Sequence, residues 1–106
     1  MHRELKWSRS EKALAREVFD AALKAELAEA IAQFKAKAAA VASPFEMWEV
    51  GEYLREKERE VSDKYDFRYS QLIWVFARLI REGRIREEQL AGLSEEKLAY
   101  IGRMLQ

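Results

Sequence analysis

The stretch Phe45–Ile80, FEMWEVGEYLREKEREVSDKYDFRYSQLIWVFARLI, decides the fold. It holds every Tyr except Tyr100 and two of the three Trp. Its middle is dense in charge and its end is strongly apolar. That sequence of textures predicts a helical arm that runs into a packed head. In the apolar end, Phe67, Leu72, Ile73, Trp74, Val75, Phe76, Leu79 and Ile80 cover nearly the whole circumference of a third helix, which Ser62-Asp63 would cap or hinge. A helix apolar all round is buried on most sides, so Trp74 and Phe76 read as core. Gly83 is the expected stop. A short turn through Ile85–Leu90 follows. Gly92-Leu93-Ser94-Glu95 then caps a last helix, with Leu98, Ile101 and Leu105 inward.

Upstream, Ser43-Pro44-Phe45-Glu46 is a sharp restart. Ser43 suits the cap, Pro44 the first helical position and Glu46 the box position. The second helix carries Met47, Val50, Leu54, Val61 and Tyr65 as apolar positions, and Gly51 weakens it by about 1 kcal/mol. Along it, Glu52, Glu56 and Glu60 form one ridge and Arg55 and Arg59 another. Like charges four apart cost what the opposite pairs three apart return, about 0.2–0.5 kcal/mol each. A two-fold partner could set one ridge against the other; an ordinary solvated face is the alternative. Trp48 reads either as core or as a partly exposed anchor for a protein partner. Tyr65, Asp66 and Arg68 read either as a local polar cluster or as partner-facing.

The first helix should start at Ser8, which has the S-x-x-E spacing of a capping box with Glu11, and should run to Ser43. No Gly or Pro interrupts it. Phe19, Leu23, Leu27, Ile31, Phe34, Ala38 and Val41 recur in steps of three and four along one face, which Leu14, Val18, Ala22 and Ala25 widen. About 35 residues make a helix of roughly 50 Å, against a radius of gyration of about 13 Å for a compact chain of this length. The stripe then needs a second copy to cover it. The dimer interface is expected at Leu23, Leu27, Ile31, Phe34, Ala38 and Leu54. The other solution is a helix broken and folded on itself.

The fold class is therefore all-α: a long antiparallel two-helix arm (residues 8–62) and a small C-terminal helical head (63–106) in one dimeric domain. Nineteen basic residues balance nineteen acidic ones, so no global field attracts nucleic acid or an anionic membrane. With no Cys, and His2 as the only His, neither a transition-metal cluster nor a nucleophile triad can be built. No glycine-rich phosphate loop appears. No signal peptide or bilayer-length apolar run is visible, so a cytoplasmic protein without enzymatic activity or cofactor is expected.

Asp63-Lys-Tyr-Asp-Phe-Arg-Tyr-Ser70, then Leu72-Ile-Trp-Val-Phe-Ala77 and Glu82-Gly83, resembles the fluorescence recovery protein family. So do Trp7-Ser8 with Glu11, Met47-Trp48 with Tyr53-Leu54, Leu90-x-Gly92-Leu93, and Lys97-Leu98 with Ile101. The resemblance spans nearly the whole chain. It implies a helical dimer that binds the photoactivated orange carotenoid protein and speeds its return to the orange resting form. It places the partner surface on Trp48, Gly51, Glu52, Lys57 and Glu58, with Tyr65, Asp66 and Arg68 from the head side. Family members in cyanobacteria carry His, Asp and Arg where this chain has Gly51, Glu52 and Glu58, and the His and the Arg are tied to carotenoid-protein action. That pattern resembles the family's homologues outside cyanobacteria. The alternative it leaves open is an adaptor or signalling protein of the same fold without the carotenoid-protein partner.

Overall fold

A computed structural model describes residues 5–106, so His2 lies outside the described residues. The elements are α1 (Arg9–Ala39), α2 (Pro44–Lys64), α3 (Leu72–Arg81), a 3₁₀ turn (Glu87–Leu90) and α4 (Glu95–Leu105). Among the described residues there is no strand, and the fold is all-α. Two compact units emerge. One takes the chain up to Ala22 together with Asp66–Gln106; the other is Leu23–Tyr65.

In the first unit, Ser8 and Glu11 form the expected box. The Glu11 N–H donates to Ser8 Oγ at 3.1 Å, and the Ser8 N–H donates to Glu11 Oε1 at 3.0 Å. The same carboxylate does more. Its Oε2 accepts the Ser94 N–H at 2.8 Å, and its Oε1 accepts Lys97 Nζ at 3.1 Å. Ser94 is the N-cap of α4, so one side chain serves the amino ends of two helices. Glu11 is 7% exposed and Lys97 3%. Burial pushes the Glu11 carboxyl up, but the Ser8 and Ser94 N–H groups and the Lys97 ammonium outweigh it and hold it below its ordinary 4.5.

Around this joint, Ala15, Val18 and Phe19 of α1 join Leu72, Val75, Phe76 and Leu79 of α3, with Leu90 and Ile101, in the buried set. Helix α3 ends as predicted. Gly83 adopts φ +74°. Its N–H reaches the Ile80 carbonyl at 2.9 Å while the Arg84 N–H reaches that of Leu79 at 2.8 Å, a Schellman ending that favours glycine.

Two expectations for this unit need correction. Helix α2 continues through Ser62-Asp63 to Lys64, and α3 begins only at Leu72. Phe67 therefore lies in a non-helical segment, where it packs edge-on against Phe19 with centroids 4.9 Å apart and carries the Arg16 guanidinium 3.5 Å from its ring centroid. Tyr69 continues the cluster, 5.6 Å from Phe67 and 5.6 Å from Trp7. Side-chain packing overrides helix propensity here, and Phe and Tyr are weak helix formers to begin with. Trp74 is not core either; it is 56% exposed. Trp74, Arg78 and Arg81 lie four and three residues apart on the exposed to half-exposed side of α3, so the helix is two-faced. Counting its apolar residues without their phase hid that stripe.

The second unit pairs the rest of α1 with α2. Gln33 accepts from Tyr53 Oη at 2.5 Å, and Lys37 Nζ sits 4.9 Å from the Tyr53 ring centroid. Glu26, lower on α1, meets Lys57, Lys64 and Tyr65, higher on α2. Partner numbers rise as α1 numbers fall, which makes the pair antiparallel. Ser43 caps α2 by accepting the Glu46 N–H at 3.2 Å. Helix α1 stops at Ala39, short of Ser43, where its last bonds tighten toward three-residue spacing: the Ala40 N–H is shared between the Ala36 and Lys37 carbonyls, and the Val41 N–H bonds to Ala38. The α1 face turned to α2 carries Glu26, Gln33 and Lys37. The expected apolar stripe lies on another face, where Leu27 and Ile31 stay exposed and Leu23 and Phe34 are half-buried.

Two outcomes follow from this packing. Phe76→Ala should cost about 3–5 kcal/mol, and Trp74→Ala about 1 kcal/mol or less; equal losses in chemical denaturation would contradict the two-faced α3. Glu11 has a depressed folded pKa, so its contribution is present above the unfolded value of 4.5 and fades as pH falls through the lower folded value. Glu11→Gln, which leaves Lys97 the Lys6 carbonyl but no counter-ion, should cost about 3 kcal/mol at neutral pH and flatten the acid limb of a melting-temperature profile taken from pH 7 downward.

Candidate partner-binding surface

The first turns of α2 follow from Ser43-Pro44, which fix where the helix begins. That start leaves Phe45, Met47 and Trp48 exposed, with Leu54 two turns on. Trp48 is 65% exposed, which sets aside the core reading and leaves a large amphipathic ring in water. On the α1 side of the same unit, Leu27 and Ile31 add uncovered apolar surface. Exposed aromatic and aliphatic groups of this size are a protein-contact signature.

The charged candidates on α2 part ways. Glu52 is exposed and accepts Arg55 Nη2 at 2.8 Å, and that hydrogen bond and charge hold its carboxyl below the ordinary 4.5. Glu58 points to solvent. Lys57 turns inward. Its Nζ lies 3.4 Å from Glu26 and 3.6 Å from Glu60, and its side chain is mostly buried. Gly51 is half-buried with ordinary helical φ, and a Cβ there would meet only Arg55 Nη1 at 3.6 Å. Nothing in the backbone requires glycine at this position.

Tyr65 belongs to the same unit and donates its hydroxyl to Glu26 Oε1 at 2.7 Å. Asp66 and Arg68 belong to the other unit and pair with each other: Nε reaches Oδ1 at 2.8 Å and Nη2 reaches Oδ2 at 2.5 Å. Each holds the other charged, Arg68 pulling the Asp66 carboxyl down and Asp66 pushing the Arg68 guanidinium up. Residues two apart on a helix do not face each other, so this pair exists because the segment is not helical. The eight candidates thus divide between the units, six in Leu23–Tyr65 and two outside it.

Sequence reasoning passed over Glu26 and Lys64. Glu26 is fully buried and accepts Lys64 Nζ at 2.7 Å. The signal was available: Ala15, Val18, Ala22 and Glu26 keep a strict three-four phase, and a carboxylate in a buried phase demands a cation.

Among the described residues no group of three His, Asp or Glu side chains could hold a metal ion, and no helix is long and apolar enough to cross a membrane. An open cleft of about 310 Å³ in the first unit is lined by Ile80, Leu90, Leu98 and Ile101 with Glu87 and Glu88.

Comparison with known proteins fits these features. The fluorescence recovery protein of Synechocystis sp. PCC 6803 is 34% identical over 98 residues, 92% of this chain and 90% of that protein. The solved structure of the Fremyella diplosiphon fluorescence recovery protein superposes with a TM-score of 0.89 at 32% identity, covering 93% of this chain and 97% of that one. The Synechocystis structure gives 0.88 at 32% identity with the same coverage. Residues 7–105 match the family described as photoprotection regulator fluorescence recovery protein, and the chain belongs to that family.

Proposed function

We propose that this chain is a dimeric, non-enzymatic regulator that binds the photoactivated orange carotenoid protein and speeds its return to the resting orange form, in the cytoplasm. The observation that carries the reading is the family match across residues 7–105. The exposed Trp48 on α2 and Trp74 on α3 supply aromatic anchors of the kind that dominate protein interfaces. Such a regulator lowers a conformational barrier by binding, with no bond made or broken.

A second reading has its own observation. Gly51 and Glu58 stand where the resemblance calls for His and Arg. Gly51 has room for a side chain, and Glu58 is free to be exchanged at the surface. An anion at position 58 repels the carboxylate that an arginine would pair with bidentately. The chain would then be an adaptor of the same fold whose carotenoid-protein partner is lost.

The two readings separate in one assay, the dark recovery of photoactivated orange carotenoid protein followed by absorbance. The native chain should shorten recovery, and the double variant Gly51→His, Glu58→Arg should shorten it further. No effect from the native chain with a gain in the double variant selects the second reading. No effect from either removes the carotenoid protein as partner.

The dimer rests on the stripe of α1 that α2 leaves uncovered. Leu23, Leu27, Ile31, Phe34 and Ala38, with Leu54 from α2, would be covered by a second copy. Sedimentation at micromolar concentration should give twice 12.5 kDa, and Leu27→Asp with Ile31→Asp should give the monomer. A native chain that sediments as a monomer would falsify this assignment.

A further inference from the structure

We propose that the buried Glu26–Lys64–Tyr65 cluster is a register lock, which selects one alignment of α1 against α2 rather than supplying net stability to the pair.

The α1 segment in this unit is rich in alanine: Ala25, Ala28, Ala30, Ala32, Ala36, Ala38 and Ala39 lie between Leu23 and the helix end. None of these alanines is fully buried against α2, and neither is any larger apolar group between Leu23 and the helix end. Packing alone therefore discriminates weakly between alignments shifted by one turn, about 5 Å. Leu27 and Ile31 stay exposed and Leu23 and Phe34 are only half-buried, so apolar packing sets the register against α2 weakly.

The polar cluster sets it more strictly. Glu26 is fully buried, with Lys64 Nζ on Oε2 at 2.7 Å, Tyr65 Oη on Oε1 at 2.7 Å and Lys57 Nζ on Oε2 at 3.4 Å. Lys64 is itself 2% exposed. A carboxylate removed from water tolerates only an alignment that returns these donors. The sequence of α2 makes costly each alignment that brings an earlier residue of α2 into the Lys64 place. A slip of three residues puts Val61 in the place of Lys64, leaving both charges stranded. A slip of four puts Glu60 there, anion against anion. A slip of seven substitutes Lys57 for Lys64 but brings Glu58 into the place of Tyr65, again against the Glu26 carboxylate. A single buried polar group fixes register in paired helices by the same logic.

The test replaces the cluster with apolar groups of similar size: Glu26→Leu, Lys64→Met, Tyr65→Phe. Lys57 keeps Glu60 at 3.6 Å and an exposed route to water, so no buried charge is left unpaired. The chain has no Cys, so spin labels at Lys35→Cys on α1 and Glu56→Cys on α2, both exposed positions, report the pairing directly. Double electron–electron resonance is recorded on labelled chain diluted with unlabelled chain. The parent should give one distance. The triple variant should keep its helical circular dichroism and melt at or above the parent, yet show a second distance, from a population slipped by one helical turn, about 5 Å along the axis. A triple variant that folds with the single parental distance overturns the proposal, because packing then suffices to set register. One that fails to fold overturns it too, because the cluster is then a stability element.

Discussion

A carboxylate withdrawn from water must be met by donors or a cation, and this constraint is satisfied once in each unit. Glu11 meets it with two backbone N–H groups and the Lys97 ammonium. Glu26 meets it with two lysines and a phenol. Each arrangement ties α1 to elements far along the chain, 83 residues away at Ser94 and 38 at Lys64. Helix α1 is thus more than an apolar rod. Its buried positions include one anion per unit, and the rest of each unit is placed where that anion's partners can reach it.

Much of the fold could be read before any coordinates. The two serine caps, the proline start of α2, the glycine ending of α3 and the Ser94 start of α4 are local chemistry, complete within four or five residues. Helix and turn signals of this kind survive tertiary context because they satisfy backbone groups that nothing else would satisfy. The phase of burial was harder. On α1 the residues between Phe19 and Ala38 offer two overlapping three-four stripes, one through Leu27 and Ile31 and one through Ala22 and Glu26. Hydrophobicity favours the first. The structure buries the second, because Glu26 is worth burying only beside Lys64 and Tyr65, and that pairing is invisible to a local window. Trp74 failed for a related reason: an apolar count ignores that Arg78 shares its stripe. Of the candidate surface, Trp48 and Glu58 emerged exposed, whereas Lys57 and Tyr65 turned to Glu26. A lysine and a tyrosine near a charged run gave no hint that one buried glutamate would claim both.

The division of labour across Leu23–Tyr65 also bears on the surface. Glu26, Gln33 and Lys37 of α1 face α2, while Leu27 and Ile31 stay exposed. An isolated helix pair would ordinarily do the opposite. With polar groups joining the two helices, apolar groups remain for a partner, and Phe45, Met47 and Trp48 extend that supply at the start of α2. The exposed apolar chemistry of this unit thus lies where the family's role as a photoprotection regulator can draw on it.

The aromatic segment between α2 and α3 has a further consequence. Its exposed ion pair, Asp66 with Arg68, stands in solvent, as does Arg16 with Asp20. Pairs of that kind fade as dissolved ions crowd in, over a screening length of about 8 Å at physiological ionic strength. The Arg16 guanidinium, however, also lies 3.5 Å from the Phe67 ring centroid, and Lys97 lies 4.9 Å from that of Trp7. At such a separation no hydrated counterion fits between cation and ring, and the attraction comes from the ring's quadrupole. Phe67 should therefore keep its seat against Phe19 and Arg16 in brine strong enough to silence the neighbouring carboxylates.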